Sequence, residues 1–176
     1  MTSDYSHRMT APTIGFVGLG NMGGPMCLRL VRAGFTVHAF DFNAAALETV
    51  AAEGAHIASS AAECAAAADI LLTSLPRPDH VASVMVDGGA LAALRSGSIW
   101  VDLTTNRKEF VAELASSAPA GVRVVDSPVT GAVDGARNGR LTLFIGGEHD
   151  DVATVRPVLE HLGVVIHCGP LGTGNV

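Results

Sequence analysis

The chain has 176 residues, 48% of them hydrophobic and 16% charged, with a formal net charge of −6. That length carries one well-buried core, and its 11 Lys and Arg form no basic stripe, which excludes nucleic acid and an anionic membrane surface as partners. No run approaches the ~18 apolar residues of a membrane span, and Cys27, Cys64 and Cys168 lack paired spacing, so they are expected as core thiols in a reducing compartment, the cytoplasm.

Residues 1–12 are polar and lack the apolar centre of a signal peptide, so a loose N-terminal arm is expected before a folded domain over 13–176. The folded part opens at Ile14 with a strand-like run that breaks into Gly18-Leu19-Gly20-Asn21-Met22-Gly23 and then into helical spacing. Gly18 permits a tight turn, Gly20 lets backbone approach a pyrophosphate, and Gly23 lets the helix pack on the strand, with the helix N–H groups facing phosphate. A second strand over 36–41 ends in the carboxylate Asp41, where a ribose diol would bond. The whole of 18–23, together with Asp41, Phe42 and Asn43, is therefore expected to contact a dinucleotide. A carboxylate followed by Phe42, with no Arg there, favours NAD over NADP, because it repels the extra phosphate.

Helices are predicted over 44–53 and 61–68, with a short strand at 55–58 between them. A continuous apolar strand at 69–74 stops at Leu75-Pro76-Arg77-Pro78, and helical spacing resumes over 80–86. A buried strand at 98–102 precedes an amphipathic helix over 106–118, with Thr105 or Asn106 as its cap. Strands at 122–126, 141–145 and 164–167 and a helix over 150–162 complete the pattern, with a glycine-rich stretch at 131–139. This alternation predicts an α/β fold, a doubly wound, mostly parallel sheet with helices on both faces.

In such a sheet ligands lie beyond the carboxyl ends of the strands where strand order reverses. Leu75 and Pro76 after one strand and Thr104 and Thr105 after another reach that edge, around the nicotinamide half of a cofactor. Ordinary turn and cap chemistry would account for the same residues. Asp126-Ser127-Pro128-Val129-Thr130-Gly131-Ala132 ends a strand in a stiff turn. Its N–H groups at Thr130, Gly131 and Ala132 and the Thr130 hydroxyl can form an anion-binding concavity, or the turn can simply reverse the chain.

Five segments stand in order from Thr13 to the end: 15–23, Leu75-Pro76, Val101-Asp102-Leu103-Thr104-Thr105, 126–132 and Gly169-Pro170-Leu171-Gly172-Thr173-Gly174-Asn175. In these the chain resembles the 3-hydroxyisobutyrate dehydrogenase (β-hydroxyacid dehydrogenase) family, related to 6-phosphogluconate dehydrogenase, and specifically its N-terminal Rossmann-type NAD-binding domain. The resemblance implies an NAD-dependent interconversion of a 3-hydroxy acid and its semialdehyde. It implies that Thr105 contacts the cofactor and that Thr130, Gly131 and Ala132 hold the carboxylate of a small substrate. The family usually has Ser-Gly-Gly where Thr130-Gly131-Ala132 stand, so two added methyl groups bear on substrate size. It also implies that the catalytic Lys lies beyond Val176, that no catalytic residue is in this chain, and that the all-helical second domain and the homo-oligomer belong to the full protein. His149 and His167 are read as structural rather than as substitutes for that Lys. A non-catalytic NAD-binding module and a related semialdehyde or imine reductase remain alternative readings.

Overall fold

A computed structural model describes residues 11–176. The expected N-terminal arm therefore lies, up to Thr10, outside the described residues. Strand β1 (Ile14–Val17) is buried at all four positions and leads into α1 (Gly23–Arg32). Pro25 sits in the first turn of α1, where a missing N–H is tolerated, and Arg29 and Arg32 meet the negative end of the helix dipole. Next come β2 (Val37–Phe40), α2 (Ala44–Ala52), β3 (His56–Ile57), α3 (Ala61–Ala67) and β4 (Ile70–Thr73). A short α4 (Pro78–Ala82) runs directly into a π-helical turn, Ser83–Asp87, followed by α5 (Ala90–Ala93), β5 (Ile99–Asp102) and α6 (Lys108–Ser116). The remainder is β6 (Arg123–Asp126), β7 (Val129–Thr130), α7 (Ala132–Asn138), β8 (Leu141–Gly146), α8 (His149–Leu159), β9 (Gly163–Gly169) and a 3-10 turn, Thr173–Asn175.

Strands β3, β2, β1, β4, β5 and β6 lie side by side in that order, all parallel. β8 runs antiparallel to β6 and β7, and β9 adds in parallel to β8. Strand order thus reverses at β1, whose Ile14 pairs with Val37 on one side and Ile70 on the other. The alternation of side chains divides the core into two layers. Ile70 and Leu72 of β4 and Ile99 and Val101 of β5 join Met26 and Leu30 of α1 and Val155 of α8. Leu71 and Trp100 point the other way, onto Cys64 and Ala65 of α3, Val81 and Met85. Both faces of β1, β4 and β5 are covered, which is why these strands read as unbroken apolar runs. No helix among the described residues is long and apolar enough to cross a membrane.

Four sequence expectations change. The helix expected from 106 starts at Lys108, and neither Thr105 nor Asn106 caps it: the cap position is Arg107, without a side-chain bond. Asn106 turns inward instead, to a buried carboxylate. The glycine-rich stretch contains α7, because Gly135 lies within it and a Cβ there would stand 3.0 Å from the Leu141 side chain. Glycine here serves close packing of helix on strand. The stiff turn after β6 also contains β7, registered on Leu143 and Thr142 of β8. Cys27 and Cys64 are buried, with burial pushing both thiols up to about 12, but Cys168 is exposed, since its neighbours on edge strand β9 alternate between faces.

Candidate functional site

The turn between β1 and α1 shows three glycines with three different physical reasons. Gly18 has φ +96°, and a Cβ there would stand 2.2 Å from the Ser74 carbonyl oxygen after β4, so the two strand ends are in close backbone contact. A Cβ at Gly23 would be 1.9 Å from the carbonyl oxygen of Gly18. At Gly20 φ is not positive and a Cβ would meet nothing within 4 Å. Neither backbone conformation nor internal packing requires glycine there. The first turn of α1 has no side-chain cap, as is also true of α4, α5, α6, α7 and α8. Asn43 caps α2 and Ser60 caps α3, whereas Met22 caps α1 with no side-chain bond, and no acidic residue sits in that turn. Gly24 N–H bonds the Gly20 carbonyl at 2.9 Å and Pro25 has no N–H, so the donors left for a ligand at this turn are those that precede Gly24.

That space is a cleft of about 650 Å³ at the carboxyl ends of β1, β2, β4 and β5. Gly18, Gly20, Asn21, Met22 and Gly23 form one side. Asp41 and Phe42, just past β2, form the end. The Asp41 carboxylate is oriented by two backbone donors, Leu19 N–H to Oδ2 at 2.6 Å and Asn43 N–H to Oδ1 at 2.8 Å. Phe42 is 86% exposed on the lip, its ring edge-on to Phe40 at 5.2 Å. Leu75, Pro76, Thr104 and Thr105 close the opposite end, beside Val129. Among the described residues, none that lines the cleft is Lys or Arg.

Beneath this end lies a buried polar floor. Asp102 Oδ1 accepts from the Thr73 hydroxyl at 2.9 Å and from Thr104 N–H at 3.1 Å, and Oδ2 accepts from the Asn106 amide. Trp100 Nε1 donates to the Thr73 hydroxyl at 2.9 Å, and the Thr104 hydroxyl accepts from Leu75 N–H at 3.0 Å. Asp126 lies opposite Asp102 in the β5–β6 register. It accepts from the backbone and side-chain nitrogens of Asn175, at 3.1 and 2.9 Å, while Asn175 Oδ1 accepts from Asn106 N–H at 2.7 Å. Burial raises both carboxyls, Asp102 to about 6, against hydrogen bonds that act in the other direction.

Residues 13–169 match the family model described as the NAD binding domain of 6-phosphogluconate dehydrogenase. The chain belongs to this family. It is similar to 3-hydroxyisobutyrate dehydrogenase of Pseudomonas aeruginosa, 39% identical over 93% of this chain and 56% of that protein. Mycobacterium tuberculosis 3-hydroxyisobutyrate dehydrogenase, solved with L-serine, superposes with a TM-score of 0.88 at 38% identity, over 94% of this chain and 57% of that one. Psf3, solved in complex with NADP+ and 2-OPP, gives a TM-score of 0.86 at 29% identity, over 93% and 59%. The chain thus spans rather more than half the length of these relatives. As a 6-phosphogluconate dehydrogenase-type NAD-binding domain it is an NAD(P)-binding module with the doubly wound fold of the dehydrogenases.

Within this domain the structure gathers Gly18, Gly20, Asn21, Met22, Gly23, Asp41, Phe42, Leu75, Pro76, Thr104 and Thr105 on one cleft. Leu19 and Asn43 line a neighbouring groove instead. The Leu19 side chain is core and its N–H is spent on Asp41, while the Asn43 side chain caps α2. Thr130, Gly131 and Ala132 are exposed and follow Val129, the last residue on the cleft. Ala132 has φ +54°, a left-handed conformation that costs an L-residue about 1–2 kcal/mol. His167 is half-buried and its Nε2 lies 2.9 and 3.0 Å from the carbonyls of Gly147 and Gly169, while His149 is exposed beside it. Sequence reasoning did not single out Ser74, His80, Ser83, Val84 or Val129, which also line the cleft. The available signal was the helical spacing after Pro76, which carries the second, third and fourth of these to the cleft.

Proposed function

We propose that the chain binds NAD and forms the cofactor-binding part of an oxidoreductase that interconverts a 3-hydroxy acid and its semialdehyde. The observation that carries this reading is Gly20: an open position, free of packing or conformational demand, beside an uncapped helix N-terminus. A ligand whose charged groups must touch backbone there accounts for glycine, and pyrophosphate is such a group. Asp41, held by two N–H groups, accepts from the adenosine ribose diol, and with no Lys or Arg among the described residues that line the cleft the extra phosphate of NADP meets that carboxylate.

When bound, the nicotinamide supplies hydride transfer. Leu75, Pro76, Thr104 and Thr105 orient that half and keep water from it. Thr130, Gly131 and Ala132 take the substrate carboxylate at the Val129 end, with the methyl of Ala132 narrowing the space beside it. 3-Hydroxyisobutyrate and L-serine, in the names of the two relatives, share a hydroxymethyl group on the carbon that bears the carboxylate. That pattern is the substrate class proposed here, and the acid–base Lys that the family resemblance puts beyond Val176 belongs to the same proposal. Three free thiols, two of them buried, support a reducing compartment such as the cytoplasm.

Thermal unfolding with added NAD+ tests the cofactor reading. At about 100 times the dissociation constant, a ligand specific for the native state adds ~2.7 kcal/mol. For a chain of this size that raises the melting temperature by about 5–10 °C. An unchanged melting temperature at millimolar NAD+ contradicts the proposal.

A further inference from the structure

We propose that Asp102 is a positioning residue for the dinucleotide cleft: through Thr104 it fixes the loop after β4 against the loop after β5, without itself reaching the ligand. This rests on the dinucleotide reading above. The connection is continuous. The carboxylate sets the Thr104 backbone by accepting its N–H at 3.1 Å, and the Thr104 hydroxyl in turn accepts the Leu75 N–H at 3.0 Å. Leu75, Pro76, Leu103, Thr104 and Thr105 all line the cleft, so this buried group ties both walls of that end together, beside the direct backbone bond from Leu103 N–H to the Thr73 carbonyl at 2.8 Å. The same Asp102 oxygen, Oδ1, accepts from Thr73, whose hydroxyl accepts from Trp100, and the other oxygen accepts from Asn106.

A fold-stabilising role does not account for a carboxylate here. Asp102 is 1% exposed, its bonded partners are Thr73, Thr104 and Asn106, and no cation is among them. An ionised carboxylate so placed is expensive, and burial accordingly moves its titration up to about 6. Since the folded-state value lies above the unfolded one, ionising Asp102 lowers stability as pH rises through that range. An expensive group retained directly beneath a binding cleft points to the cleft. Its charged surroundings are Asp126 across the β5–β6 ladder, joined through Asn106 and Asn175, Lys108 at the start of α6, and Asp41 and His80 on the cleft walls.

Ionised Asp102 serves three donors. Once protonated on Oδ2 it displaces the Asn106 amide and, being neutral, offers the Thr104 N–H a weaker acceptor at Oδ1, so Thr104 is less firmly held. Affinity for NAD+ should therefore fall as pH drops through about 6. The test is calorimetric titration of NAD+ between about pH 5 and about pH 8 into wild type, Asp102→Asn and Thr73→Val, with the melting temperature recorded at each pH. Wild-type affinity is expected to drop about tenfold across the range. Asp102→Asn imitates the protonated acid, so it should bind at the wild type's acid-limit affinity at every pH. Thr73→Val leaves the carboxylate and removes one donor to its charged form, so its midpoint should move to higher pH. An Asp102→Asn profile identical to wild type, or an unmoved midpoint in Thr73→Val, overturns the positioning role while dinucleotide binding stands. If Asp102→Asn fails to fold, Thr73→Val decides alone. Wild type that binds no NAD+ at any pH overturns the proposed function, and this inference with it.

Discussion

Gly20→Ala is expected to lower NAD+ affinity by ~10²–10⁴-fold while leaving the protein as stable as before, or slightly more so. Charge-assisted hydrogen bonds contribute about 1.5–3 kcal/mol each, and a methyl group that holds the pyrophosphate off the turn forfeits about two of them. In the free protein the new Cβ meets nothing within 4 Å, and the φ at Gly20 is one that alanine adopts. Reduced freedom of the unfolded chain then adds up to ~1 kcal/mol to stability. Gly23→Ala is the contrasting control, because its Cβ would lie 1.9 Å from the Gly18 carbonyl oxygen and must disturb the turn itself. Calorimetry paired with thermal unfolding separates the two. Undiminished affinity in Gly20→Ala would mean that the open space at this turn is not where a pyrophosphate lies.

The second large effect concerns the choice of dinucleotide. Like-charge juxtaposition costs several kcal/mol, so wild type should prefer NAD+ over NADP+ by ~10²–10³-fold through Asp41. Asp41→Ser combined with Phe42→Arg should reverse the preference. The first change removes the repulsion, and the second brings a guanidinium that grips phosphate through paired N–H donors. Phe42 is 86% exposed, with its ring edge-on to Phe40, so replacing it should cost little stability. Relative affinities for the two cofactors, measured on wild type and the double variant, provide the check. Equal wild-type affinities would remove Asp41 as the determinant.

What could be read from the sequence was local. Gly18, Gly20, Gly23 and Asp41 announce themselves because turn, close approach and strand end each restrict residue type within a short stretch of chain. Leu75-Pro76 and Thr104-Thr105 line the cleft because a parallel sheet delivers every strand's carboxyl end to one edge. The polar floor was hidden for the opposite reason. Asp102 and Asp126 look like ordinary strand ends until the β5–β6 register sets them opposite one another, and Asn106 looks like a helix cap until its amide turns inward. Asn175 joins them from a position 69 residues along the chain from Asn106. Helix α7 was obscured by Gly135, whose value depends on Leu141 of a later strand. Cys168 was misread because residue type alone favours burial, while its neighbours Val164 and Ile166 on the edge strand are 65% and 43% exposed.

The most direct test of the central claim is a crystal structure of this chain with NAD+. The account predicts the pyrophosphate against the backbone N–H groups at the start of α1, above Gly20, with the adenosine ribose hydroxyls on Asp41 and the nicotinamide end between Leu75-Pro76 and Thr104-Thr105. Cofactor bound elsewhere, or in the cleft with its ribose turned away from Asp41, would contradict it.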